Sequence, residues 1–221
     1  MGTATSKADS GTALCASSAE VEAKHSELAA QMKNRGFDTA AMMMSAKSFD
    51  EGMQPRRYRD PPWSLPPNAV RVVALPLDDE ALTDTHARNT ARLALTAAEQ
   101  LAAALPRGSH TWRQPAGTLH TTIYHPGVSP TARAFAPGQP APTEHQLQQE
   151  LQTVRRLATS VPINLSLVVD RLALTSSGVL LLLLKPRVHG ERACVASLRA
   201  AAAAAFPHAA HKQTSGLVHL T

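Results

Sequence analysis

The feature that most constrains the fold of this sequence is a strand–helix–strand pattern that occurs twice. Each copy has an apolar strand, then a helix with one apolar face, and then a short strand that contains a histidine. The segments are 69–75, 79–105 and the strand at His120 in the first copy, and 179–185, 191–205 and the strand at His219 in the second. This pattern predicts an α+β domain of two similar lobes, each a small antiparallel-rich sheet with outer helices, and a cleft between the lobes.

Two further elements lie between the copies. A helix is predicted directly after Thr143, which provides an N-cap, and its apolar residues recur at helical spacing. The two apolar runs that flank the turn at 175–178 predict a β-hairpin. The segment 126–142 is rich in Pro and Gly and predicts a loop.

The chain divides by composition at about residue 66. Residues 1–66 are rich in small polar residues and proline, and they predict an extension that is largely disordered apart from one helix at 18–35. Residues 67–221 form the predicted two-lobed domain. Because the extension offers little apolar surface for burial, removal of residues 1–60 is expected to leave stability essentially unchanged.

Charge and cysteine content restrict the environment and the ligand. The net charge of +5 is compatible with a phosphate-bearing ligand, although the basic cluster Arg56, Arg57 and Arg59 in the proline-rich segment also fits a solvated surface. Two cysteines without metal-like spacing indicate a reducing compartment, so the cytoplasm is expected, with the nucleus as the alternative. No apolar run is long enough to span a membrane, and a monomer is expected. The start MGTATS also matches a short myristoylation pattern, which is a weak signal.

A His-x-Thr motif closes each half of the domain, at His120–Thr122 and at His219–Thr221. Residues two apart in a strand point to the same face, so each motif presents an imidazole and a hydroxyl together. One imidazole can accept a proton while another donates one, and threonine hydroxyls can bind phosphoryl oxygens. The motifs therefore predict His120 and His219 as catalytic and Thr122 and Thr221 as substrate-binding residues. Coincidence is the alternative, because the chain has ten histidines.

Other residues near the motifs are weaker candidates. Tyr124 shares the strand face of Thr122 and is expected either to reach the ligand or to pack, whereas His125 is expected at the surface. Arg113 and Lys212 each precede a motif histidine by seven residues and could supply positive charge, with solvated surface as the alternative. His208 and His211 have no Cys or carboxylate nearby, so neither a metal site nor another cofactor is expected.

The motif regions resemble those of the two-histidine (2H) phosphoesterases, which include RNA 2',3'-cyclic phosphodiesterases and the 2'-5' RNA ligases. The first resembling region is WRQPAGTLHTTIYHPG, in which a Trp-x-x-Pro element leads into Leu-His-x-Thr and a Gly follows the strand. The hairpin LSLVVDRLALTSSGVLLLLL and the segment SLRAAAAAAFPHAAHKQTSGLVHLT continue the resemblance, which covers about residues 68–221. It implies a metal-independent hydrolase that acts on cyclic phosphodiesters or 2',5' linkages of RNA ends or small nucleotides.

The sequence also departs from that family. The family usually continues past the second motif with an Ala-Arg pair and further strands, whereas this sequence stops at Thr221, so a C-terminally truncated member is expected. Two alternatives to an enzyme stay open: a non-catalytic nucleotide- or RNA-binding module of the same fold, and an inactive truncated product. The sequence does not assign the roles of acid and base to the two histidines.

Overall fold

In the residues that it describes, the computed structural model of the protein has an α+β fold with five helices and one five-stranded sheet. It describes residues 18–57, 59, 64–77, 85–127, 141–160, 166–187, 195–207, 209 and 217–220. The helices are α1 (Ser18–Arg35), α2 (Thr39–Ala46), α3 (Thr85–Ala104), α4 (Glu144–Ser160) and α5 (Val195–Ala205), with a 3₁₀ turn at Ala116–Thr118. The strands are β1 (Val73–Pro76), β2 (His120–Tyr124), β3 (Leu167–Leu174), β4 (Leu180–Pro186) and β5 (Val218–Leu220). Among these residues no helix combines the length and the apolar composition that a membrane crossing requires.

All five described strands belong to one antiparallel sheet with the order β1-β2-β5-β4-β3. We expected a separate sheet in each lobe, but β5 pairs with β2 of the first half and with β4 of the second half. The two strand–helix–strand units therefore share one sheet, and the strands that carry the His-x-Thr motifs are neighbours near its middle. The sequence predicted the order of the elements in each unit, but not that the two units share one sheet.

The main core lies on one face of this sheet. Residues of β2, β4 and β5 there contact α3, α4 and α5, and the cluster includes Ile123, Leu182, Leu220, Leu198 and Ala202. Ile123 and Leu220 are almost completely buried, at 1% and 2% exposed. Burial of apolar surface stabilises a fold by about 25 cal/mol per Å² removed from water, so this cluster helps to hold the helices on the sheet. The three helices thus hold the middle strands from one side and leave the other face for different contacts.

Helix α1 covers part of that other face. Leu28 and Ala29 of α1 pack against the buried side chains of Leu181 and Leu183 in β4. The sequence-based expectation was an extension that buries little surface, yet α1 forms part of a second, smaller core. The helix itself lies at 18–35, as predicted. Whether residues 1–17 are disordered lies outside the described residues.

A buried polar cluster fixes α1 on β3. His25 is 0% exposed, and its Nδ1 lies 2.9 Å from the carboxylate of Asp170. The same carboxylate accepts hydrogen bonds from Lys185 at 2.6 Å and Arg171 at 2.7 Å, and Arg171 also pairs with Glu22 of α1. Burial alone would raise the pKa of Asp170, but the hydrogen bonds from Lys185, His25 and Arg171 outweigh it and hold that pKa well below its usual range.

The remainder of the described extension also contacts the domain. The backbone N–H of Asp38 donates to the carbonyl of Ser176 in the β3–β4 turn at 2.9 Å. Further along, the ring of Phe49 packs against that of Trp112, with 5.5 Å between the ring centroids. Residues 18–57 are therefore attached to the domain at α1, at the hairpin turn and at Trp112.

Several local predictions can be compared with the structure. The N-cap at Thr143 is confirmed, since its Oγ1 accepts from the N–H of Gln146 at 3.2 Å and the side chain of Gln146 accepts in return. The hairpin is confirmed as well, with Gly178 at φ +80° in its turn. The strand expected at 69–75 is shorter and begins only at Val73, where the pairing with β2 shifts register. The first turns of the helices expected at 79–105 and 191–205, and most of the loop at 126–142, lie outside the described residues.

Candidate active site

The pairing of β2 with β5 brings the two His-x-Thr motifs together. The paired residues are Thr121 and Leu220, which are the middle residues of the two motifs. In an antiparallel register this pair puts Thr122 opposite His219, and it makes His120 and His219 diagonal neighbours, which are about 7–8 Å apart in sheets. His120, Thr122 and His219 thus share one small area of the sheet. Thr221 lies outside the described residues.

Burial along the two strands alternates and shows which face carries the motifs. The middle residues Thr121 and Leu220 are buried toward the main core, whereas His120, Thr122 and His219 keep part of their surface exposed. The alternation follows from the two-residue period of a strand, because successive side chains point to opposite faces. The side chains of His120, Thr122 and His219 therefore lie on the same face as α1, beside the part of the sheet that α1 covers.

The ring of His120 is oriented by a carbonyl group on its own chain segment. Its Nδ1 lies 2.8 Å from the carbonyl oxygen of Thr118, which can only accept, so Nδ1 carries the proton. The side chain of Gln114 donates to the same carbonyl at 2.9 Å. With Nδ1 engaged in this way, Nε2 is the nitrogen at which His120 can exchange a proton with a ligand.

His219 lies in a different environment from His120. Burial, together with the positive charges of Arg199 and His120, lowers the pKa of His219 to about 4. Its Nδ1 is buried and has no hydrogen-bond partner among the described residues. Its opposite neighbour in β4 is Leu183, which is 0% exposed. The ring is therefore neutral at pH 7 and has a lone pair free to accept a proton, although it is a weaker base than a solvated imidazole.

Arg199 of α5 is a buried cation next to the motif strands. Its guanidinium donates to the carbonyls of Thr122 and Ile123 in β2, both at 3.1 Å, and to the carbonyl of Leu217 just before β5 at 2.8 Å. Burial lowers the pKa of Arg199 to about 10, so the side chain still carries its charge at pH 7. Sequence reasoning missed this residue. The available signal was a single charge within the buried face of α5, between Val195 and Ala202.

The other sequence candidates do not form part of this area. Tyr124 packs: its ring stacks on Phe206 with 6.0 Å between the centroids, and its hydroxyl donates to the Phe206 carbonyl at 3.4 Å. His125, which was expected at the surface, is partly buried, and burial lowers its pKa. Arg113 is exposed and pairs with Glu99 at 3.5 Å. Lys212, His208 and His211 lie outside the described residues.

The position just after the first motif requires a glycine for a steric reason. A Cβ atom at Gly127 would lie 2.5 Å from the backbone oxygen of Ala69 and 3.0 Å from the backbone nitrogen of Arg71. No real Cβ tolerates the first of these distances, so only glycine lets the chain pass this close. Gly127 thereby holds the end of β2 against the segment that leads into β1.

Comparisons with known proteins gave no match. The chain matches no protein-family model, and no curated protein and no solved structure is similar enough to count as a match. Within the residues described, no group of three or more His, Cys, Asp or Glu side chains is arranged to hold a metal ion. What the site can do therefore follows from its own geometry.

Proposed function

We propose that the protein is a metal-independent phosphoesterase that acts on cyclic phosphodiesters or 2',5' linkages of RNA ends or small nucleotides. The observation that carries this proposal is the pairing of Thr121 with Leu220, which brings two His-x-Thr motifs that are about a hundred residues apart onto neighbouring strands. A random pair of such motifs has no reason to meet at matching positions on one face of a sheet. The resemblance of the motif regions to the 2H phosphoesterases supports the same reading.

The different environments of the two rings support an assignment of roles. With a pKa of about 4, His219 is neutral at pH 7 and would act as the general base. In the hydrolysis of a 2',3'-cyclic phosphate, Nε2 of His219 takes a proton from water as the water oxygen attacks phosphorus. The bond from phosphorus to one ribose oxygen breaks, and Nε2 of His120 donates a proton to that oxygen. Each ring ends in the opposite protonation state and exchanges its proton with solvent.

The groups around the rings would bind the phosphate. The hydroxyl of Thr122, and that of Thr221 by analogy of the two motifs, would donate to phosphoryl oxygens. Arg199 adds a permanent positive charge close to His219. The two-lobed arrangement expected from the sequence is kept here as a proposal: the two halves would act as lobes that meet along β2 and β5, with the substrate lying over that seam.

The proposal is tested by turnover of nucleoside 2',3'-cyclic phosphates. We expect His120→Gln and His219→Gln each to lower kcat by about 10²–10⁴-fold, because each removes one proton transfer, while nucleotide binding changes much less. His145→Gln is the matched control, since His145 is an exposed histidine on α4. Circular dichroism of each variant checks that the fold is kept.

Three other outcomes would contradict parts of the proposal. Nucleotide binding without turnover in the wild-type protein would identify a binding module of the same fold. Loss of activity with a chelator, and recovery with a divalent ion, would overturn the metal-independent mechanism. Equal losses in the His145 control and in the motif variants would show that the assay does not report on the motifs.

A further inference from the structure

We propose that Arg199 is a positioning residue, which ties the two motif strands together and so fixes the placement of His120 relative to His219. The tie is a feature of the fold, and its catalytic consequence rests on the proposed function. The side chain enters from α5, whose neighbours lie in the main core on the face opposite the motifs, and Arg199 is only 6% exposed. A guanidinium this deeply buried requires strong partners, because burial of an unpaired charge is very costly.

Those partners include backbone carbonyls of β2 and of the residue directly before β5. In the described residues the ladder between β2 and β5 has a single residue pair, Thr121 and Leu220. Just beyond that pair, Arg199 donates to Thr122 and Ile123 on one strand and, with a different nitrogen, toward Leu217 on the other. The side chain thus continues the connection where strand pairing ends. A planar guanidinium with five donors can span two strands in this way, whereas the single ammonium of a lysine cannot.

The position of the tie makes it specific for the site. One of the bonded carbonyls belongs to Thr122, a motif residue, and Leu217 lies only two residues before His219. A shift of one strand relative to the other would change the diagonal separation of the two imidazoles, and misplacement by about 1 Å can cost roughly 10²-fold in rate. The charge of Arg199 also reaches His219, where it helps to keep the ring neutral.

The test combines two substitutions with a readout that needs no substrate. Arg199→Lys keeps the positive charge but loses the planar, branched set of N–H donors, whereas Arg199→Met loses both the charge and the donors. We expect kcat for a nucleoside 2',3'-cyclic phosphate to fall about tenfold or more in both variants, with a smaller change in KM. By NMR titration of the imidazole, the pKa of His219 should stay near the wild-type value in Arg199→Lys and rise by about one unit in Arg199→Met. Arg171→Lys is the control, because Arg171 also has several partners but lies on β3, two strands from β5.

The possible failures can be told apart. A wild-type protein without turnover would refute the proposed function, and the NMR titration would then still test the link between Arg199 and His219. Folded Arg199 variants with wild-type kcat, or a His219 pKa that is unchanged in Arg199→Met, would overturn the positioning role. Failure of both Arg199 variants to fold would also overturn it, because Arg199 would then support the whole domain rather than the site.

Discussion

At the scale of single residues, two adjacent threonines of β2 show how the strand separates structure from function. Thr121 is 1% exposed on the core face, and its hydroxyl has no hydrogen-bond partner in the described part of the chain. Thr122 points to the opposite face, beside His120 and His219, and is partly exposed. The two side chains have the same chemistry and differ only in which face of the sheet they occupy.

This pair gives a matched prediction. We expect Thr122→Val to lower kcat/KM for a cyclic phosphate by about 10–100-fold, because it removes a hydrogen bond to a charged group. Thr121→Val should leave kcat/KM unchanged and raise the free energy of unfolding by about 1 kcal/mol, because it replaces a buried unpaired hydroxyl with a methyl group. Steady-state kinetics and urea denaturation measure the two effects. A loss of activity in Thr121→Val equal to that in Thr122→Val would show that the two faces do not differ in function.

Some site residues were predicted from the sequence and others were missed. The two groups differ in how far along the chain their contacts lie. The shared face of His120 and Thr122 was predictable, because the two-residue period of a strand is a local property. The packing of Tyr124 on Phe206 and the burial of His125 depend on segments far along the chain. Arg199 was missed for the same reason, since its partners are backbone carbonyls that no side-chain pattern reveals.

At the scale of secondary-structure elements, α1 has the largest effect on the interpretation. Its helical pattern and its thin apolar stripe were visible in the sequence, but the polar contacts that hold it on β3 were not, because their partners lie far along the chain. The structure adds a buried His25–Asp170 pair and an ion pair between Glu22 and Arg171 to the apolar contacts. Paired polar groups of this kind can help to hold a helix in place without a wide apolar face.

The packing of α1 reverses the expectation for the N-terminal deletion. We now expect removal of residues 1–60 to lower the melting temperature clearly, because it exposes Leu181 and Leu183 and leaves Asp170 without His25. Removal of residues 1–17 alone is the control and should have little effect, since these small polar residues offer little apolar surface. Differential scanning calorimetry of the three proteins measures the effect. Equal melting temperatures for the full chain and the longer deletion would show that α1 does not stabilise the domain.

At the scale of the whole molecule, the arrangement of the halves was the least predictable part of the fold. Each strand–helix–strand unit is local in sequence, and its elements were predicted from periodicity and turn residues. The pairing of β2 with β5 joins segments about a hundred residues apart, and no local pattern specifies such a pair. The sequence therefore predicted two lobes that face each other, whereas the described strands form one continuous sheet with both motifs near its middle.

The joined sheet also makes the stability of the whole molecule depend on pH. Burial, with the charges of Arg199 and His120, lowers the pKa of His219 from 6.5 to about 4, so between these values the unfolded chain binds more protons than the folded one. The free energy of unfolding is therefore highest above pH 6.5. It falls by on the order of 3 kcal/mol as the pH decreases toward 4. The pKa of His125 is lowered in the same direction, mainly by burial. The pKa of Asp170 is held below its usual 3.8. Asp170 therefore keeps its contribution to the free energy of unfolding until the pH falls below that value.

We therefore expect the free energy of unfolding to decrease between pH 6.5 and pH 4, and His219→Gln to flatten that decrease because glutamine does not titrate. Urea denaturation at half-unit pH steps measures the slope for both proteins. His145→Gln provides the control, since it removes an exposed histidine and should leave the slope as it is. If wild-type protein and His219→Gln lost stability in parallel over this range, the pKa of His219 would be the same in the folded and the unfolded chain. The two histidines would then no longer differ by a lowered pKa, and the assignment of His219 as the base would lose its support.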